Sequence, residues 1–227
     1  MIEYITRQFV FNNYKVITSE IANVQKAMFD DDPLFEDQDD GKWYAEMHDA
    51  INIPPYDIKK YYGTISFDHS DIYTFTAALS AKLTKLLIKL NVNTLIVIAC
   101  TKLNFVGNPD NKYPPLRKAI TKFKEITRDL KYEEAFKISL IDLPTLIDIM
   151  FWLERCDARA PEFIYFADAN EKIAFYLCKR GGVHAIQYGK KIISDELIES
   201  LDMYFVNDYC EEKFSTSSKI DGRMSSS

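Results

Sequence analysis

The chain has 227 residues, of which 47% are hydrophobic and 14% aromatic, with only 7 Gly and 8 Pro. This excludes disordered, fibrous and low-complexity classes and leaves room for one domain with a substantial core. A formal charge of −6 disfavours a phosphate backbone as partner, so no nucleic acid is expected.

No apolar run approaches ~18 residues, so no membrane span is expected. The first fifteen or so residues lack the basic, apolar and small-residue order of a signal peptide. Cysteines at 100, 156, 178 and 210 form no disulfide framework and fit a reducing cytoplasm.

In chain order, Phe9–Thr18 reads as a hairpin or bent strand around Asn12-Asn13. Ser19 reads as the cap of a short helix through Phe29. Asp30 to Asp40 holds seven acids and no base around Pro33, which reads as an exposed loop. Thr64–Phe67 suits a short strand. Asp71–Leu90 is the strongest helix, with Ile72, Phe75, Leu79, Leu83, Leu86, Leu87 and Leu90 spaced by threes and fours. Thr94–Cys100 is a continuous apolar run, as in a strand buried on both faces.

Pro114-Pro115 opens a second helix with the face Leu116, Ile120, Phe123, Ile126 and Leu130. Lys137–Ile141 follows as a strand, then a helix from Pro144 to Arg155. Glu162–Phe166, Ile173–Lys179 and Val183–Tyr188 read as an antiparallel meander. Ser194 caps a last helix carrying Leu197, Ile198, Leu201 and Phe205. The expected fold is a single α/β or α+β domain over residues 1–214, with a mixed sheet of about five to seven strands, the C-terminal meander and flanking amphipathic helices. Residues 215–227 read as a flexible polar tail.

Chemistry is sparse. His48, His69 and His184 stand in no HxH or HExxH pattern, and there is no Cys-x-x-Cys pair. No nucleophile elbow, Walker loop or dinucleotide fingerprint occurs, so no catalytic residue, metal or cofactor is assigned. A Cys178–His184 dyad is disfavoured. A two-residue turn at Gly181-Gly182 would pair Cys178 with Ala185 and put Leu177, Lys179, His184 and Ile186 on the other face. Asp57, Lys59, Asp68, His69 and Asp71 are the candidates for the alternative, a divalent-metal nuclease or phosphodiesterase, which needs them convergent.

Lys112, Arg117, Lys118, Lys122, Lys124 and Arg128 make one basic helix, read as a solvated surface. The acidic cluster runs at once into Trp43 and Tyr44. Asp37, Asp39, Asp40, Trp43 and Tyr44 together suit a basic protein partner: carboxylates accept charge-assisted bonds and aromatics supply contact area.

Residues 151–187 carry Trp152, Arg155-Cys156-Asp157, Ala160-Pro161-Glu162, the aromatic run Phe163–Phe166, and Leu177-Cys178-Lys179 before a glycine turn and His184. This segment resembles the C-terminal part of cytosolic immunity proteins of bacterial polymorphic and contact-dependent toxin systems. The resemblance implies a cytoplasmic protein that binds a cognate toxin, often a basic nuclease, and blocks it without catalytic residues of its own. Within the segment, Trp152 and the strand aromatics read as core residues, and Arg155 and Asp157 are placed to form an ion pair at a helix end.

Overall fold

In a computed structural model, described for residues 2–31, 38–206 and 214, one eight-stranded sheet runs through the chain. Its strands are β1 (Glu3–Ile5), β2 (Lys60–Ser66), β3 (Thr94–Ala99), β4 (Ala135–Ser139), β5 (Ile164–Asp168), β6 (Ile173–Leu177), β7 (Val183–Tyr188) and β8 (Tyr204–Val206). They lie in the order β1-β4-β3-β5-β6-β7-β2-β8. Helices are α1 (Arg7–Asn13), α2 (Lys15–Asp31), α3 (Gln38–Met47), α4 (Ile72–Lys89), α5 (Pro114–Thr127), α6 (Leu143–Cys156) and α7 (Asp195–Glu199). The fold is α+β. The expected tail 215–227 lies outside the described residues.

The sheet is not mixed: every strand pairing among the described residues is antiparallel. Strand–helix–strand order around α5 suggests a parallel crossover, yet Ile98 faces Ala135 and Thr94 faces Ser139. The connection therefore begins and ends at one end of the sheet. Two long loops, 100–113 and 128–134, bring the chain back, and the Phe105 amide donates to the Tyr132 carbonyl at 3.0 Å to tie them together.

Alternation along the strands builds two cores. Leu95, Val97, Phe136, Ile138, Phe166 and Phe175 join the larger one with α4, α5 and α6. Helix α6 is buried nearly all round, and α4 and α5 both pack against it. Asp148 on α6 accepts from Thr76 of α4 at 2.8 Å and pairs with Lys122 of α5 at 2.6 Å. Trp152 is buried there, as expected of a structural residue. Ile96, Ile98, Tyr165, Ala174 and Ile186 face the smaller core under α1 and α2.

The hairpin expected over Phe9–Thr18 is instead the end of α1 and the start of α2. Thr6 caps α1 by accepting from the Phe9 amide, and Arg7, Val10 and Phe11 fall on one buried face. Two acids from distant loops meet the free amides of these helices: Glu134 accepts from Arg7 N at 2.6 Å, and Glu171 from Val16 N at 2.5 Å. Those contacts override the β-prone composition. Ser19 is no cap: it lies inside α2, buried, and its hydroxyl accepts from the Tyr56 amide at 2.8 Å. Helix α3 occupies Gln38–Met47, so the last part of the expected acidic loop is helical.

Helix α4 matches its expectation, with Asp71 as its N-cap. The Thr74 hydroxyl, and then the Tyr73 amide, hold the Asp71 carboxyl below its ordinary value of 3.8. A carboxyl lowered on folding stabilises the fold above its unfolded value, and that contribution is lost as pH falls through the lowered one. Asp71→Ala is therefore expected to lower Tm near neutrality, and its gap to wild type to narrow in acid, as the pH falls through the lowered value. Thermal unfolding of both proteins near neutrality and in acid checks this.

The β6–β7 turn is longer than expected. Leu177 faces Val183 and Tyr176 faces His184, with 178–182 forming the turn. Cys178 N donates to Gly182 O, and Gly181 N to Cys178 O. Gly181 takes φ +87°, and a Cβ there would lie 2.9 Å from Phe214. This register changes the faces: Leu177 joins the larger core, and His184 shares its face with Tyr176. The segment carrying Phe205 is strand β8, not the end of the last helix, because α7 stops at Glu199 and 204–206 pair with β2.

Candidate functional site: helix α3 and an aromatic cleft

Helix α3 is held against α2 and the end of β3. The Tyr44 hydroxyl donates to the Met28 carbonyl at 3.0 Å, and the Tyr44 ring packs on His48 and Phe29 at centroid distances of 4.2 and 5.7 Å. The His48 ring bonds to the Tyr44 carbonyl at 2.8 Å. Lys102 N donates to Met47 O at 2.8 Å. Just beyond α3, Arg7 makes a two-pronged bond to Asp49, at 2.6 and 2.8 Å. The same guanidinium donates to the carbonyls of Ala99 at 2.7 Å and Cys100 at 3.2 Å. Gln25 adds bonds to Cys100 O at 2.7 Å and from Ala50 N at 2.8 Å. One buried polar centre thus fixes α1, α2, α3 and β3 together.

This frame presents Trp43 outward, 58% exposed. Asp39 and Asp40 precede it in α3 by four and three positions, which are neighbouring positions of a helix surface. Glu46 is exposed on the same helix. Tyr44 is half-buried and serves as the anchor of α3 to α2. Asp37 lies outside the described residues.

The five residues of the metal-enzyme alternative do not converge. Asp57 and Lys59 precede β2, while Asp68, His69 and Asp71 follow it. Asp68 accepts from the Tyr204 hydroxyl at 3.1 Å, His69 bonds to Thr74 at 3.0 Å, and Asp71 caps α4. Lys59 lies over the Tyr61 ring at 4.9 Å. Among the described residues, no group of three or more His, Cys, Asp or Glu is placed to hold a metal ion. Burial pushes the Cys100 and Cys156 thiols up to about 12, far from a reactive thiolate.

Arg155 and Asp157 diverge rather than pair with each other. Arg155 donates to the Lys179 carbonyl and lies over the Phe214 ring at 4.8 Å. Asp157 accepts from the amides of Gly107, Asn108 and Arg159 at 2.9, 2.8 and 3.1 Å. The helix-end acid is thus consumed by the loop amides of 107–108, which sequence order does not bring near it.

A second feature has no sequence signal. On the α2 side of the sheet, a cleft of about 190 Å³ opens over β5, β6, β7 and β2. Its walls include Tyr62, Phe163, Tyr165, Tyr176 and His184, with Glu20 and Val24 of α2. Tyr176 stacks on His184 at 4.7 Å and meets Phe163 and Tyr165 edge-on at 5.1 and 5.5 Å. His184 bonds to Thr64 at 3.2 Å.

No protein-family model matches the chain, and neither a curated protein nor a solved structure matches it. Among the described residues, no helix is long and apolar enough to cross a membrane.

Proposed function

We propose that the protein is a cytoplasmic immunity protein: a stoichiometric inhibitor that binds a basic toxin domain, such as a nuclease, and covers its active site through the α3 surface. The observation that carries this reading is the exposed indole of Trp43 on a helix anchored by buried contacts, in a stretch of sequence rich in acids. An exposed tryptophan on a rigid element contributes contact area at little conformational cost, which is the character of a binding hot spot. The surrounding negative charge steers a basic partner and speeds its capture. The resemblance of residues 151–187 to immunity proteins supports the same reading. No step of it needs a catalytic residue, metal or cofactor.

Affinity capture from the source cell, at low and at high salt, tests the reading. The expected result is one basic protein in stoichiometric amount, released by salt, that is toxic when expressed alone and harmless when co-expressed with this chain. Capture of no such protein at either salt would overturn it. With the partner in hand, Trp43→Ala is expected to weaken binding by at least ~2 kcal/mol, about thirtyfold, while leaving Tm unchanged. Calorimetric titration and thermal unfolding of the variant check the two parts separately.

A further inference from the structure

The cleft on the α2 side of the sheet is too small for a drug-sized ligand or a cofactor, whose sites run to ~300 Å³ and more. It has room for one side chain. Four of its walls are aromatic rings contributed by β2, β5, β6 and the approach to β5. One carboxylate enters it, that of Glu20, a residue only 6% exposed. Lys60 bonds to Glu20 Oε2 at 2.6 Å, and among the described residues no donor bonds Oε1. Burial first, and the Glu20 charge with it, raises the phenols of Tyr62, Tyr165 and Tyr188 above their ordinary values. The Glu20 charge is thus felt at two of the tyrosine walls, Tyr62 and Tyr165, with Lys60 opposing it at Tyr62.

Aromatic faces under negative potential, with a carboxylate acceptor at the back, fit a flat cation. Tyr62 stands at the rim, 66% exposed, where its ring is reachable from outside. The cleft also lies close to the α3 surface. Val24 lines it, and α3 docks on the same helix at Met28, one turn or about 6 Å further along the axis.

We propose that this cleft receives one arginine side chain of a basic protein partner, the guanidinium lying against the tyrosine rings and donating to Glu20. The proposal rests on the reading of the protein as a binder of a basic partner and gives that partner a defined anchor. An arginine suits the site better than a lysine because its planar, weakly hydrated group stacks on rings while still donating to a carboxylate.

The test uses the full labelled chain and N-acetyl-arginine methylamide, with the uncharged citrulline counterpart as control, followed by NMR. The expected result is saturable shifts at Tyr62, Tyr176 and His184 with the arginine compound. Affinity should fall about fivefold or more in Glu20→Gln, in Tyr62→Ala, and for the citrulline compound. Tyr62 is exposed, so its variant keeps the test valid should Glu20→Gln disturb the fold. Equal shifts from citrulline, insensitivity to both substitutions, or no shift at these residues would overturn the proposal. The model compound needs no partner protein. Arginine-selective binding without a captured basic protein would therefore defeat the functional reading and leave the cleft standing. A captured basic partner with a silent cleft would do the reverse.

Discussion

Arg7→Ala is expected to lower the unfolding free energy by about 2–4 kcal/mol, because the guanidinium is buried with its carbonyl acceptors while Asp49 is partly open to solvent. The side chain is nearly fully buried and makes four bonds, two to Asp49 and one each to the carbonyls of Ala99 and Cys100. Its loss leaves Ala99 O without its donor and Asp49 without its cation. Cys100 O keeps Gln25 as a donor at 2.7 Å, so the damage concentrates at Asp49 and Ala99. Arg7→Lys is expected to recover only part of the loss, because an ammonium cannot hold the two-pronged geometry and reach the carbonyls at once. Urea unfolding of the three proteins gives the comparison. A change below about 1 kcal/mol for Arg7→Ala would mean that the network contributes little, as many exposed pairs do. Because α3 follows from the same centre through Asp49 and Ala50, Arg7→Ala should also weaken partner binding, without touching the binding surface.

The second large effect is expected where the loop of Gly107 crosses the end of α6. A Cβ on Gly107 would lie 2.3–2.5 Å from backbone and Cβ atoms of Arg159. The obstacle is backbone, not a side chain that can turn aside. Gly107→Ala should therefore cost at least about 2–3 kcal/mol, towards or beyond the upper end of ordinary overpacking. The same crossing is held by Asp157, which is 1% exposed and accepts three amides. Asp157→Ala orphans those donors and should cost about 3 kcal/mol or more, while Asp157→Asn, keeping one acceptor oxygen, should fall between. Equilibrium unfolding ranks the three. If Gly107→Ala melts with wild type, the crossing is looser than its geometry requires.

The parts of the fold that are readable from sequence are those where one local pattern decides the outcome. Helix α4 carries an unbroken apolar stripe behind an Asp cap, α5 opens on two prolines, and β3 is an almost unbroken apolar run. The meander of β5, β6 and β7 is announced by its turns. Where long-range contacts decide, the pattern misleads. Phe9, Val10 and Phe11 look like strand residues, but Glu134 and Glu171 come from more than a hundred residues away to satisfy the free amides of α1 and α2. The antiparallel course of β4 depends on loops that carry no periodicity. The β6–β7 turn takes up 178–182, and the rings of Phe214 and Phe75 that crowd Gly181 there come from far along the chain.

The same division applies to function. The acids and Trp43 are contiguous along the chain, so their conjunction is legible from residue order alone. Whether the indole is buried or exposed is a tertiary matter, and the fold places it outside. The cleft has no such signal. Glu20, Tyr62, Tyr176 and His184 meet only because β2 lies beside β7, and because the long turn puts Tyr176 opposite His184.

The measurement that most directly tests the account is capture of the salt-released basic partner by two matched surface variants. Trp43→Ala alters the α3 face; Tyr73→Ala removes a similarly exposed aromatic from α4, 65% exposed. Neither should change stability much, so a difference between them reports the surface alone. The account predicts that Tyr73→Ala retains the partner and neutralises its toxicity, while Trp43→Ala captures markedly less of it and protects less well. Equal capture and equal protection by both variants would contradict it and remove α3 as the binding surface.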